Sequence, residues 1–348
     1  MKIGNRLVDS SQPPLVIAEI GINHGGSLDT ARRMADLAAQ SGAECVKHQT
    51  HFPDDEMTSE AKDIRPPNAS QSIWDVIESA ALTPDEEIRL KEHVESLGMI
   101  YISTPFSRKA ADFLNTLQVP AFKIGSGEAD NLPFIRHIAK FGKPIILSTG
   151  MQTIESLQKT VAILNSACIE YALLECTNLY PSPPEIVSLK GISQLKESFP
   201  KAQVGFSDHS IGPSMAIAAV ALGATILERH FTDTRYRVGP DISCSMDPAE
   251  LRFLIDRSKE IHKALHNSKF RSKEEEAVYL FARGSVVAER DLCTGECIDE
   301  SSIWTRRPGT GQIPAYEFDK IIGAQLINDV KKNQQLRWSD ITLNEHKA

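Results

Sequence analysis

The 348-residue sequence lacks any apolar run of the roughly 18 residues a membrane helix needs, and Met1–Ser10 holds no cationic stretch followed by an apolar one. A cytoplasmic chain with no membrane partner is expected. Basic charge is also short: 38 Lys and Arg against 46 Asp and Glu leave a formal net charge of -8. Such a chain has no field to gather nucleic acid or anionic lipid, so a small-molecule partner is expected instead. The six cysteines form no CxxC pair, which argues against a disulfide framework and for reduced core residues. Cys293 and Cys297, four apart, read as ordinary residues rather than a metal pair. Aromatic residues are only 6%, yet 41% of the chain is apolar, enough for a large core and more than one domain.

Short β-rich apolar runs recur with helical stretches between them: Val16–Ile20, Cys45–Gln49, Met99–Ser103, Ala121–Ile124, Ile145–Ser148, Tyr171–Glu175, Val204–Ser207 and Thr225–Arg229. Helix signals lie between them: Asp29 ahead of Ala31–Gln40, Thr83-Pro84-Asp85 opening a stretch to Leu97, and Pro213 opening one to Leu222 with Gly223 as stop. Eight β-then-α units over about 260 residues predict an α/β fold, a (β/α)8 TIM barrel spanning residues 1–267. An open doubly wound sheet would gather its polar residues at one switch point. Here they follow every strand. The charged run Ser268–Glu276 reads as a solvated linker, taken as 268–280. Residues 281–348 then read as a small β-rich domain, with runs at Ser285–Ala288 and Ile303–Thr305 and a short helix at Tyr316–Ile321.

Active sites of barrels sit at the C-terminal strand ends. His209 and His230 follow neighbouring strands about 5 Å apart, so both imidazoles could reach one ion, or either could be a hydrogen-bonded structural histidine. Lys47, Lys123, Ser126, Ser148 and Ser207 supply cations and hydroxyls around the same mouth, the inventory for holding a phosphate and a carboxylate. Single serines also serve as caps, whereas a lysine buried at a strand end is costly without an anion. Glu19 can act as a base, orient a sugar hydroxyl, touch metal-bound water, or simply pair with Lys47. Arg307, in a proline- and glycine-fixed loop, could present a guanidinium outward or be merely exposed.

The stretches AEIGINHGGSLDTA (18–31), VKHQTHFPDDEMT (46–58), KIGSGE (123–128), CTNLYPSP (176–183), GFSDHS (205–210), ILERHFTD (226–233), GPDISCSMDP (239–248) and WTRRPGTG (304–311) closely resemble bacterial N-acetylneuraminate (sialic acid) synthases. The likeness spans almost the whole chain, and its C-terminal part resembles the antifreeze-like SAF domain. It implies a transferase that condenses phosphoenolpyruvate with open-chain N-acetylmannosamine and water, releasing phosphate by C–O cleavage. A divalent metal, most often Mn2+ with Co2+ or Mg2+ as alternatives, is implied, with His209 and His230 as its ligands. By matching motif, Lys47, Lys123, Ser126, Ser148, Asn178 and Ser207 would hold phosphoenolpyruvate. Gln49, Asn68, Tyr180, Asp241 and Glu19 would orient the sugar, Glu19 also taking a direct part in catalysis. The resemblance further implies a domain-swapped homodimer in which Arg307 reaches the partner's sugar. Two positions depart from it: Gly25 stands where a glutamate often follows the histidine, and Glu175 where several relatives have histidine.

Three rivals stand beside this reading. Legionaminic or pseudaminic acid synthases use diacetamido-sugars on the same scaffold, and a few pocket residues decide between such substrates. An aldolase would form a Schiff base on Lys47 or Lys123. A noncatalytic sugar- or ice-binding protein would leave the polar barrel mouth without a purpose.

Overall fold

The computed structural model describes residues 1–66 and 69–343. The sugar residue expected at Asn68 lies outside the described residues. Two compact units, Met1–Asn267 and Ser268–Ala348, divide the chain.

Eight parallel strands close the first unit into a barrel: β1 Leu15–Gly21, β2 Cys45–Thr50, β3 Ile100–Pro105, β4 Phe122–Ile124, β5 Ile145–Ser148, β6 Tyr171–Cys176, β7 Gln203–Asp208 and β8 Ile226–His230. Each pairs with the next, and β8 returns to β1 with Ile226 opposite Leu15 and His230 opposite Glu19. Closure excludes the open doubly wound sheet. Each strand is followed by a helix: α1 Leu28–Gln40, α2 Pro84–Ser96, α3 Arg108–Thr116, α4 Leu132–Ala139, α5 Ile154–Ser166, α6 Leu189–Ser198, α7 Ser214–Ala221 and α8 Pro248–Leu265. A side-chain cap opens all but α7. At α1 the cap is Ser27, which accepts from Thr30 N, so the helix begins at Leu28, before the Asp29 signal.

The period-2 alternation of the strands sorts their side chains into two environments. Val16, Ala18, Val46, Leu147, Leu173 and Leu227 point out and pack beneath the helices. Leu15, Ile17, Cys45, Ile102, Ile146, Ala172, Leu174 and Ile226 point in and fill the lower barrel, where Ile3 and Val8 of the N-terminal hairpin join them. Fully burying one such aliphatic side chain contributes roughly 1.5–3 kcal/mol. Further along the same inward rows the side chains become charged, and that change of character marks the mouth.

In the second unit, β9 Ser285–Ala288 pairs antiparallel with β10 Ile303–Arg306, and β11 Gln325–Leu326 with β12 Ile341–Thr342. Among the described residues twelve buried apolar ones, Val286, Ile303 and Leu336 included, give it its own core. A short helix, Glu276–Ala282, overlaps the stretch expected as linker, and a capping box of Ser272 and Glu275 opens the turn that leads into it. Among the described residues no helix is long and apolar enough to cross a membrane.

Candidate active site at the barrel mouth

All eight strands, or the loops just after them, contribute to one cavity of about 150 Å³ at the C-terminal end of the barrel. Strand register places Glu19 beside both Lys47 and His230. Lys47 Nζ lies 2.5 Å from Glu19 Oε2 and donates to Thr104 Oγ1 at 3.0 Å. Across the barrel, Lys123 Nζ donates to Ser148 Oγ at 2.7 Å and to Ile124 O at 3.1 Å. Glu228 stands between the two lysines, its Oε1 3.9 Å from Lys47 and 3.5 Å from Lys123. Gln49 Nε2 donates to Glu19 Oε1 at 2.9 Å. Ser126 Oγ accepts from Gly150 N at 3.0 Å, which fixes the loop after β4 against the loop after β5.

Burial drives the electrostatics. It raises Glu19 to about 7, with Glu228 adding to the rise while Lys47 and Gln49 oppose it. Burial also pushes Glu228 upward, but Lys123 and Lys47 outweigh it and hold that carboxyl below its ordinary value. Lys123 is lowered by burial, partly offset by Glu228. Asp241 is raised to about 6, again by burial, with His209 and Lys47 opposing. The result is two lysines facing one firmly ionised carboxylate and one poised near neutrality, the state suited to moving a proton.

The two histidines are neutral: burial takes His209 to about 4 and His230 to about 3. Their ring centroids are 5.4 Å apart. A carbonyl oxygen can only accept, so His209 Nδ1 donates to Thr177 O at 2.8 Å and the Nε2 lone pair remains for a ligand. His230 Nδ1 is buried with no hydrogen-bond partner and lies 3.7 Å from Asp241 Oδ2. Two neutral imidazoles with a carboxylate nearby fit a divalent cation that keeps open positions. Among the described residues no group of three or more His, Cys, Asp or Glu forms a ready-made cage.

The cavity brings together Glu19, Lys47, Gln49, Lys123, Ser126, Ser148, Asn178, Tyr180, Ser207, His209 and His230. Asp241 reaches it through His230, and the Tyr180 ring lies tilted by 32° against His209 with centroids 4.0 Å apart. Arg307 is exposed in the second unit, beside Arg306, Lys332 and Asn333. Thr104, Phe106, Cys176 and Glu228 also line the cavity, and sequence reasoning gave none of them a role. The signal for Thr104, Cys176 and Glu228 was strand parity: each is in phase with an inward residue of its own strand, Ile102, Leu174 and Ile226. The same parity turns His48, Ser103, Asp208 and Arg229 outward, where Arg229 Nη1 pairs with Asp208 at 2.7 Å.

Residues 34–270 match the NeuB family and residues 283–342 the SAF domain. The chain is 36% identical over 331 residues to an N,N'-diacetyllegionaminic acid synthase of Campylobacter jejuni, covering 93% of this chain and 98% of that one. It is 35% identical over 265 residues to the human N-acetylneuraminate-9-phosphate synthase, covering 75% and 73% of the two chains. A crystal structure of an N-acetylneuraminic acid synthetase from Leptospira borgpetersenii superposes with a TM-score of 0.73 at 29% identity, covering 80% of this chain and 94% of that one. With eight strands converging on a polar mouth and both family matches in chain order, this chain belongs to the NeuB family and is an enzyme of the transferase class, a TIM barrel followed by a SAF domain.

Proposed function

We propose that the chain condenses phosphoenolpyruvate with N-acetylmannosamine and water to give N-acetylneuraminic acid and phosphate. The observation that carries this reading is the pair of buried lysines set among serine hydroxyls beside Glu19. Two separate cations with hydroxyl donors suit a substrate with two anionic ends, a carboxylate and a phosphate. Lys47, Lys123, Ser126, Ser148, Asn178 and Ser207 hold phosphoenolpyruvate, while Gln49, Tyr180, Asp241 and Asn68 orient the sugar.

Carbon 3 of phosphoenolpyruvate attacks the aldehyde carbon, water adds at C2, and phosphate leaves with its bridging oxygen. Glu19, raised to about 7, delivers a proton to the aldehyde oxygen and recovers one from the attacking water. Glu228 stays ionised between the lysines and opposes the loss of the Lys123 charge in a buried site. A divalent cation, Mn2+ foremost with Co2+ or Mg2+ in its place, would be held by His209 and His230 and would supply electrophilic polarisation of the aldehyde.

A second reading differs in the sugar alone. The legionaminic acid synthase relative covers both chains almost completely, which favours a diacetamido-sugar as substrate. Phosphate release from phosphoenolpyruvate with Mn2+, comparing N-acetylmannosamine with 2,4-diacetamido sugars and a chelator control, separates the two. Release with none of them would refute both.

The SAF domain of a second copy is the proposed cover of the mouth, with its Arg307 reaching the sugar. Met151, Ile211, Tyr236 and Val238 leave an exposed apolar rim on the loops around the mouth, in keeping with such a lid. Six free cysteines suit the reducing cytoplasm.

A further inference from the structure

His51 follows β2, is buried, and stacks on Phe106 with ring centroids 4.5 Å and planes 14° apart. The chemistry above gives it no part. Its Nδ1 lies 2.8 Å from Glu56 Oε2 and its Nε2 lies 3.2 Å from Gln49 Oε1. Gln49 Nε2, in turn, donates to Glu19 Oε1 at 2.9 Å.

The Gln49 amide turns its nitrogen to Glu19 and its oxygen to His51. Turned over, it would set its oxygen against Glu19 whenever that carboxyl is ionised, so an ionised Glu19 selects the orientation seen. As it stands, the amide oxygen only accepts, so His51 Nε2 carries a hydrogen. On the other side of the ring, Glu56 Oε2 lies against Nδ1 and holds the imidazole in place. Phe106, which itself lines the cavity, holds the ring plane. With one Nε2–H given to Glu19 and the oxygen engaged by His51, the amide has its second N–H left for a ligand.

We infer that His51, held by Glu56 and Phe106, is a positioning residue that locks Gln49 so that the sugar meets an N–H donor there. The group read by Gln49 is therefore an acceptor oxygen, a hydroxyl or an acetamido carbonyl. This rests on the synthase reading of the cavity. It places the selectivity of this corner of the site two side chains back from the substrate.

The test is steady-state phosphate release by the full-length chain with Mn2+, measuring KM separately for phosphoenolpyruvate and the acetamido sugar. His51→Phe keeps the stacking and removes the donor; the sugar KM is expected to rise about tenfold, the loss of one hydrogen bond, with the phosphoenolpyruvate KM within about twofold of wild type. His51→Gln sets an amide N–H near the position of Nε2 and is expected to restore the sugar KM to within about threefold. An unchanged sugar KM in His51→Phe, an equal rise for both substrates, or no rescue by His51→Gln would overturn the inference. Thermal melting reports whether His51→Phe folds. If it does not, Glu56→Gln, which leaves the ring in place, is expected to raise the sugar KM alone by about threefold, and no change there overturns the inference. A wild-type chain that releases no phosphate with any acetamido sugar would remove the synthase reading, and this inference with it.

Discussion

Replacing Gly21 by alanine tests the site through its backbone. Gly21 ends β1 with φ +47, and a Cβ there would lie 2.8 Å from Glu19 Oε1, 3.2 Å from Gln49 Nε2 and 3.5 Å from His230 Nδ1. Normal carbon–oxygen contacts begin near about 3.3 Å, so Glu19 must move by roughly half an ångström, and Gln49 blocks one way out. Misplacing a reacting group by about 1 Å costs on the order of 100-fold, so kcat/KM in Gly21→Ala should fall between about 10- and 100-fold. The left-handed backbone adds roughly 1–2 kcal/mol of destabilisation for any residue with a Cβ, lessened by the lower chain entropy of unfolded alanine. Gly25 supplies the control: its φ is +56, and nothing lies within 4 Å of its added Cβ. Gly25→Ala should therefore lose about the same stability in urea unfolding while keeping activity within about threefold of wild type. Equal activities in the two variants, or an equal loss in both, would refute the claim that Gly21 is kept bare for its three neighbours.

Glu19 gives a pH-dependent stability. Raised to about 7 from an ordinary 4.5, it keeps in the folded chain a proton that the unfolded chain has released, so stability falls as pH rises between 4.5 and 7 and levels off above. Glu19→Gln imitates the protonated form: it should exceed wild type by on the order of 1–3 kcal/mol at pH 8, and that advantage should vanish near pH 4.5. A gap that is the same at both pH values would show that Glu19 carries no raised proton affinity. His209→Ala and His230→Ala should each lower phosphate release by at least about 1000-fold in manganese-supplemented buffer, with circular dichroism unchanged; full activity in either would sink the two-histidine metal site. If copies exchange SAF domains, subunits carrying Glu19→Ala and Arg307→Ala should regain activity on mixing. Half the dimers would be mixed with one intact site each, so about a quarter of wild-type activity is expected, and none would return if each site is built within one chain.

Parallel strands buried on both faces read as short apolar runs, which is why all eight were legible and lie within a residue or two of their observed positions. The polar residues at their ends were equally legible as a class. Choosing among them needed the second period in the same rows. In Cys45-Val46-Lys47-His48-Gln49 the charged and amide side chains are in phase with Cys45, which packs in the lower barrel, and His48 is in phase with Val46, which packs under the helices. Applied to Ile226-Leu227-Glu228-Arg229-His230, that phase places Glu228 inside with His230 and sends Arg229 outward to Asp208. Loops carry no such phase. Asn178 and Tyr180 were legible as polar residues after the sixth strand, but their roles, and Asp241 altogether, came only through family likeness, because a loop side chain is aimed by the hydrogen bonds of its own turn. His51 has no strand phase for the same reason: it follows the last residue of β2, and its contacts to Glu56 and Phe106 join segments that sequence spacing does not relate. The residues hardest to read in such a barrel are thus the ones that touch no ligand and still decide how a neighbour presents itself to one.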